Sequence, residues 1–324
     1  MKTTPLLLLL LAIFTTGASY AQFDGAVGTP GCKAIQYNDS RILDWATGCT
    51  VYRGYYDIAN NRTLASFGSD TVAIGMATAS NTMEAVSLGD SGVAVLTFAT
   101  PIANGQGPDF AVYENGWGDG FLELAFVEVS SDGQRYVRFP AISNTPTASQ
   151  VGSFVSNMDP TLINNLAGKY RIGWGTPFDL EELADSTGID INNITHVRLV
   201  DCIGTINPQY CTYDANGNIV NDPYPTAFNT GGFDLTGVAV INQRAQSISM
   251  AEMADVKVYP NPCRDFVQLS GMPIGEKYRI CDLSGKTVIA GICNSNSFCI
   301  STQRLKQGVY VMKVGRVAKK IVKK

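Results

Sequence analysis

Glu114, Asn115, Asp119 and Glu123 fall within ten positions of one another in GPDFAVYENGWGDGFLELAFVEVSSDG, residues 107–133, and Glu128 follows shortly after. The three glutamates stand in or beside runs of Phe, Val, Leu and Ala. A carboxylate on an apolar strand is costly unless something neutralises it. Three readings compete. A hard cation takes about six to eight oxygens, and Glu114, Asn115, Asp119 and Glu123, with carbonyls of the glycine-rich NGWGDG turn, supply several of them; this reading expects a structural calcium ion. Arg135, Arg138 or Arg198 pairing with the acids at a sheet edge is the second reading, and a catalytic pair is the third.

Catalysis has geometric requirements. A glycosidase sets two carboxyls about 5 to 9 Å apart across one sugar. On a regular strand over residues 121–130, Phe121, Glu123, Ala125, Val127 and Val129 share one face, and Leu122, Leu124, Phe126 and Glu128 the other, so Glu123 and Glu128 point apart. The same parity puts Glu114 with Phe110 and Val112, opposite Asp109, Ala111 and Tyr113. Hydrolase triads need a histidine base. The single histidine, His196 in NITHVRLVD, reads as a structural strand residue. No glycine-rich stretch is followed by a lysine and a helix, so no phosphate loop is present. No catalytic residue is assigned.

Aromatic side chains offer binding chemistry instead. Trp117 in NGWGDG and Trp174 in IGWGTP each sit between glycines. That context expects an indole on a loop, able to stack on a sugar or another flat ligand, with Tyr113, Tyr210 or Tyr224 as partners. The competing reading folds one or both indoles back as plugs over the end of a sandwich. DANGNIVND, residues 214–222, alternates oxygens as calcium loops do. Its glycine stands at the fourth position and no glutamate closes it, so Asn216-Gly217 reads first as a tight turn.

Strands must position these residues. SGVAVLTF, DFAVYEN, FLELAFVEVS, RYVRFPAI, ITHVRLVDCI and LTGVAVI are short runs rich in Val, Phe, Tyr and Ile, separated by Gly, Asn and Asp clusters. Two short helices are expected: one in DPTLINNLAG with Asp159 as N-cap, Pro160 in the first turn and Gly168 as stop, and one in TPFDLEELADSTG between Pro177 and Gly188. The fold class is all-β, a jelly-roll-like β-sandwich followed by a small immunoglobulin-like β-sandwich.

Compartment and organisation follow from the ends. MKTTPLLLLLLAIFTTGASYAQ has Lys2, an apolar run from Leu6 to Phe14, and small residues Ser19 and Ala21 before Gln22, so residues 1–21 are expected to be a secretory signal peptide. Eight cysteines, none in a CxxC pair, fit export as disulfides, with Cys202–Cys211 and Cys32–Cys49 as candidate pairs. Residues 22–255 hold 10 Lys and Arg against 25 Asp and Glu, whereas residues 256–324 hold 13 against 3. That asymmetry argues for two domains, and the acidic one repels nucleic acid and anionic lipid while suiting cations or neutral ligands. The polar RAQSISMAEMAD places a linker at 244–255, between a binding sandwich at 22–243 and a tail at 256–324.

The hairpin VEVSSDGQRYVRF with the later THVRLVD is similar to galactose-binding-like jelly rolls of discoidin type, which implies a lectin-like sandwich. EAVSLGDSGVAVLTF, GPDFAVYENG and GGFDLTGVAVI look like a domain common in secreted surface proteins of Bacteroidota, some of them associated with corrinoid uptake. The tail is more specific. VKVYPNPCRDFVQLSG, YRICDLSGKTVIAG and ISTQRLKQGVYVMKVGRVAKKIVKK resemble, along their full length, the C-terminal sorting domain of the type IX secretion system. The matching positions are Tyr259, Pro260, Asn261 and Pro262, then Asp282, Gly285 and Lys286, then Leu305, Gly308, Tyr310 and Val311. The resemblance implies an immunoglobulin-like sandwich that engages the type IX machinery, is commonly removed, and leaves its passenger released or attached to outer-membrane surface polysaccharide.

Taken together, the residues predict a secreted or cell-surface protein with a non-catalytic sandwich that binds a glycan or small molecule. The alternatives are a carboxylate-dependent enzyme acting on polysaccharide, a structural or adhesive component, and a corrinoid-capturing protein.

Overall fold

The computed structural model describes residues 23–244, 256–272, 274–314 and 317–324; the expected leader and connector residues 245–255 lie outside them. The chain divides into two compact units, Met1–Arg244 and Ala245–Lys324.

Two antiparallel sheets make the first unit. One runs in the order Ile35–Gln36, Trp174–Phe178, Phe110–Glu114, Asp234–Val240, Asp44–Trp45, with Val86–Ser87 also paired to Asp234–Val240. The other runs Val137–Arg138, Ala125–Ser130, Ile194–Asp201, Val93–Ile102, Gly48–Tyr52, with Leu166–Ala167 also paired to Ala125–Ser130. Alternation decides what each strand gives the interior. Phe110, Val112, Val238 and Val240 from the first sheet meet Leu96, Val127, Val129, Val197 and Leu199 from the second in one buried core. Phe110, Phe139 and Phe178 interlock within it, with ring centroids 5.0 to 5.9 Å apart. The opposite face of the first sheet is covered too, by a cluster in which Ala111 and Tyr113 join Ile35, Ala77 and Ala239.

Several expectations need correction. The strand expected over 121–130 starts only at Ala125. Both expected helices are single 3-10 turns. Asp159 does cap the first, Pro160–Leu162, accepting a hydrogen bond from the Thr161 N–H, but the chain then enters the pairing of Ile163–Asn164 with Ile142–Ser143. The second, Leu180–Leu183, is capped by Asp179, because Pro177 is still within a strand. Neither candidate cysteine pair is bridged in this structure. Cys32 lies in the loop before the edge strand Ile35–Gln36 of the first sheet, and Cys49 lies in the edge strand of the second. Cys202 is buried against Leu122 and Val220 rather than bridged to the half-buried Cys211.

Many buried carboxylates in this unit tie loops by accepting backbone N–H groups. Asp109 accepts from Gly105 and Leu180, Asp201 from Ser91 and Phe233, and Asp222 from Leu124. In DANGNIVND, Asp214 accepts from Asn216, Asn218 and Ser143, which makes the stretch a capped turn. These donors offset part of the burial cost, yet burial still pushes Asp109 up and Asp201 and Asp222 well above the usual carboxylate range.

The second unit is a smaller two-sheet antiparallel sandwich. Lys257–Tyr259, Phe266–Ser270 and Ser297–Ser301 form one sheet; Thr287–Ile292, Lys277–Cys281, Gly308–Val314 and Val317–Lys323 form the other. Val267, Leu269, Ile280, Met312, Val314 and Ile321 fill the space between them.

Candidate functional site

At one end of the large sandwich the chain crosses from the first sheet to the second through residues 115–124. Glu114 ends the strand before this crossing and Asp234 begins the neighbouring strand, with Leu235 opposite Glu114 in the register. Glu123 lies just before the strand that starts at Ala125. Glu114 keeps the inward parity of Phe110 and Val112, so its carboxyl enters the end of the core. One carboxylate oxygen each of Glu114, Glu123 and Asp234 lies within 4.8 Å of the others, and all three residues are buried.

The donors around this cluster are few. The Gly116 N–H donates to Glu114 Oε2 at 2.6 Å, an approach that a side chain at Gly116 would obstruct. Ser87 donates its hydroxyl to Asp234 Oδ1. Asn115 Nδ2 donates to Asp234 Oδ2 at 2.9 Å and to the Thr82 carbonyl at 2.9 Å. Glu114 Oε1 and Asn115 Oδ1 are buried with no hydrogen-bond partner. No hydrogen bond reaches the Glu123 carboxylate among the described residues. Burial, reinforced by the charge of Asp234, pushes both Glu114 and Glu123 well above the usual carboxylate range. Burial likewise pushes Asp234 up to about 7, against the opposing pull of its hydrogen bonds and of Arg53. Arg53 itself donates to the carbonyls of Phe67, Ser87 and Gly68. Without a cation among them the three acids cannot all ionise. They are also enclosed, at 1 to 6 % exposure, so they do not line a groove that would admit a sugar ring.

The crossing segment also carries Trp117 and Phe121, whose rings join those of Phe154 and Phe228 from other loops. Trp117 is 62 % exposed and Phe154 66 %. Trp117 lies parallel to Phe121, with centroids 4.8 Å apart and planes 4° from coplanar, and Phe154 continues the row toward Trp117 at 6.3 Å and Phe228 at 5.6 Å. Phe121 is buried and anchors the row.

The remaining candidate residues are scattered. Asp119 is not within the carboxylate group; its Oδ2 takes an ion pair from Arg171 at 2.7 Å. Tyr113 is fully buried, tilted against Trp45, and cannot reach an external ligand. Trp174 is half-buried and begins a strand, opposite Gln36. Tyr224 is buried and donates to Asp57 Oδ1 at 2.6 Å. Glu128 follows the arginine reading: it faces away from the core and pairs with Arg138 at 2.8 Å and with Arg198. His196 stands in the middle strand of its sheet, its Nδ1 2.8 Å from the Thr195 hydroxyl. Sequence reasoning missed Asp234, Phe154 and Phe228. The first had a signal, since GGFDLTGVAV sets an acid in an apolar run as DFAVYEN does.

In the small unit the motif residues hold the end of the chain. Asn261 Nδ2 donates to the Lys320 carbonyl at 2.7 Å, and its Oδ1 accepts from the Val322 N–H at 2.9 Å. Asp282 accepts from the Ser284 and Lys286 N–H groups around Gly285, whose φ is +85°. The buried Tyr310 donates its hydroxyl to the Lys306 carbonyl. Tyr259, between Pro260 and the strand interior, is 44 % exposed.

Residues 257–324 match the family described as the secretion system C-terminal sorting domain. The chain therefore carries a type IX sorting domain and is a secreted, cell-surface protein. No curated protein matches it. Among solved structures it is similar to PorZ, an essential surface component of the type IX secretion system of Porphyromonas gingivalis, at 15 % identity and a TM-score of 0.21, covering 86 % of this chain and 43 % of that one. It is also similar to a β-glucuronidase from Ruminococcus gnavus at 10 % identity and a TM-score of 0.21, covering 87 % and 45 %. The chain thus spans less than half the length of these structures, and at such scores they carry no argument about the fold or activity of the large unit.

Proposed function

We propose that the large sandwich is the passenger of the sorting domain and serves at the cell surface as a binding module for a ring-shaped neutral ligand, a glycan foremost. The observation that carries this reading is the exposed aromatic row. Trp117, on a turn otherwise built of glycine, asparagine and aspartate, and Phe154, on a separate loop, keep most of their surface in water. Exposed aromatic area of this kind is unfavourable in isolation and is the usual anchor for a flat apolar face such as that of a pyranose. The excess of acidic over basic residues in this unit favours neutral ligands over polyanions. A polysaccharide-cleaving reading would need two carboxyls facing an open groove, and the carboxyls that converge here are enclosed.

A glycan array probed with the purified protein tests the reading, followed by titration of the best ligand against W117A and F154A. Both side chains are mostly exposed, so the variants are expected to keep the wild-type melting temperature within about 2 °C and to lose at least about tenfold in affinity, roughly 1.4 kcal/mol. Binding that persists in both variants, or an array with no signal, would remove the aromatic row from consideration.

A further inference from the structure

Backbone donors are scarce around the Glu114, Glu123 and Asp234 group. Asp109, Asp201, Asp214 and Asp222 each have backbone N–H groups aimed at them. Glu123 has none, and Glu114 has one on Oε2 while Oε1 is left bare in the interior. A second bare oxygen belongs to a neutral side chain. Asn115 is 4 % exposed and is fixed by its amide nitrogen to Asp234, which leaves its Oδ1 buried beside the cluster with nothing to accept from. Buried polar atoms are rarely orphaned, and two of them, Glu114 Oε1 and Asn115 Oδ1, fall at a group of three buried carboxyls, an arrangement that a cation would satisfy. Nearby Arg53 is spent on three carbonyls.

We propose that Glu114, Asn115, Glu123 and Asp234 bind a calcium ion that joins the two ends of the 115–124 crossing and so braces the segment that carries Trp117. The donor set is oxygen only, which selects hard cations over zinc or copper. Calcium–oxygen bonds are about 2.3 to 2.6 Å, so two ligands on opposite sides of the ion stand about 5 Å apart. A mutual spacing within 4.8 Å therefore admits calcium between these carboxylates without rearranging the strands. Magnesium keeps its waters tightly and seldom sits in an all-protein cage, so a buried set of protein oxygens suits calcium better. Three carboxylates and one amide oxygen supply four ligands if each binds through one atom, and second carboxylate oxygens or water complete the shell. The ion would link the first sheet, through Glu114 and Asp234, to the segment leading into the second, through Glu123. Glycan binding is a separate matter: the ion is detected without any sugar, so failure of one idea leaves the other standing.

The experiment uses the purified full chain, stripped with chelator and returned to calcium chloride or magnesium chloride. Calorimetric titration is expected to show one calcium per chain, with magnesium weaker. At about 100 times Kd the folding equilibrium should shift about 100-fold, which raises the melting temperature by roughly 5 to 10 °C. E123Q is expected to abolish this response while melting higher than the chelated wild type, because the amide removes a carboxyl that the empty site cannot accommodate. D234N serves as a second near-isosteric variant should E123Q fold poorly, and is expected to lose calcium binding as well. A wild-type protein that neither binds calcium nor melts higher in its presence would overturn the proposal. So would stoichiometric binding that survives in both variants, since the ion would then lie elsewhere.

Discussion

Lys169 Nζ lies 2.8 Å from Asp24 Oδ1, across 145 residues of chain, and the two side chains are only 3 % and 10 % exposed. Tyr170 donates its hydroxyl to the other oxygen of the same carboxylate, and the Lys33 N–H donates to it at 3.0 Å. Two groups from one distant segment and a third from the following loop thus converge on one acid near the start of the described chain.

Breaking this pair from one side should be expensive. K169M leaves Asp24 buried beside an apolar stem, and a loss of about 3 to 5 kcal/mol is expected in urea unfolding. Replacing both partners, as K169M with D24N, should recover a large part of that loss. If the double variant were as unstable as K169M alone, the charge pairing would not be the source of the effect.

Asp90 gives a pH prediction. It is buried, accepts a hydrogen bond from the Ile58 N–H at 2.7 Å, and is pushed up to about 7 by burial, with Asp57 adding to the shift. Its folded value lies above its unfolded one, so between about pH 4 and pH 7 the folded chain holds the proton more tightly and stability falls as pH rises. Above pH 7 the penalty is constant. The stability of D90N relative to wild type should therefore improve across that window, by on the order of 3 kcal/mol, and then level off. Unfolding curves for the two proteins at pH 4, 5.5, 7 and 8 measure it, and a difference that does not vary with pH would count against the argument.

Thiol reactivity should separate the cysteines. Burial pushes the Cys49 thiol up to about 12 and raises Cys202 well above its ordinary value, whereas Cys299 is exposed. Only the thiolate attacks an alkylating reagent. Iodoacetamide at pH 8 is expected to modify Cys299 within minutes and Cys49 and Cys202 only after denaturation, as peptide mass mapping would show. Recovery of a Cys202–Cys211 bridged peptide would contradict the thiol arrangement.

Asn261 offers a handle on export. Its amide makes both a donated and an accepted bond to the final strand, copying the pairing that the flanking prolines cannot complete. N261A should cost about 1 to 2 kcal/mol in the sorting unit and expose its last strand to protease. Surface delivery in a type IX-competent host is expected to fall, with the chain retained behind the outer membrane. Normal delivery of N261A would show that this contact serves stability alone, and loss of delivery on removing residues 256–324 is the control.

How much of the candidate site could be read beforehand differs residue by residue. The parity that set Glu114 with Phe110 and Val112 survives in the structure, because a half-buried strand has a period of two and a one-residue slip would expose the core. Glu128 was visible as an acid on the other face for the same reason, and its arginines lie on the strands paired with it. The helices failed because Asp, Pro and Gly punctuate a single turn as readily as a long helix, and the strand pairing that follows leaves no room for more.

From the amino acids alone came the class of fold, the acidic body with its basic tail, the sorting motifs, and the suspicion that carboxylates among apolar residues needed a partner. These are local or compositional properties, set by side-chain alternation, turn chemistry and net charge. Tertiary structure decided which acids share a space. Asp234 stands more than a hundred residues from Glu114 yet begins the strand beside it, while Asp119, five positions away, turns outward to Arg171. It likewise assembled Trp117, Phe154 and Phe228 from three separate segments into one row. Sheet order brings distant strands together, and no local pattern encodes which strand becomes the neighbour of which.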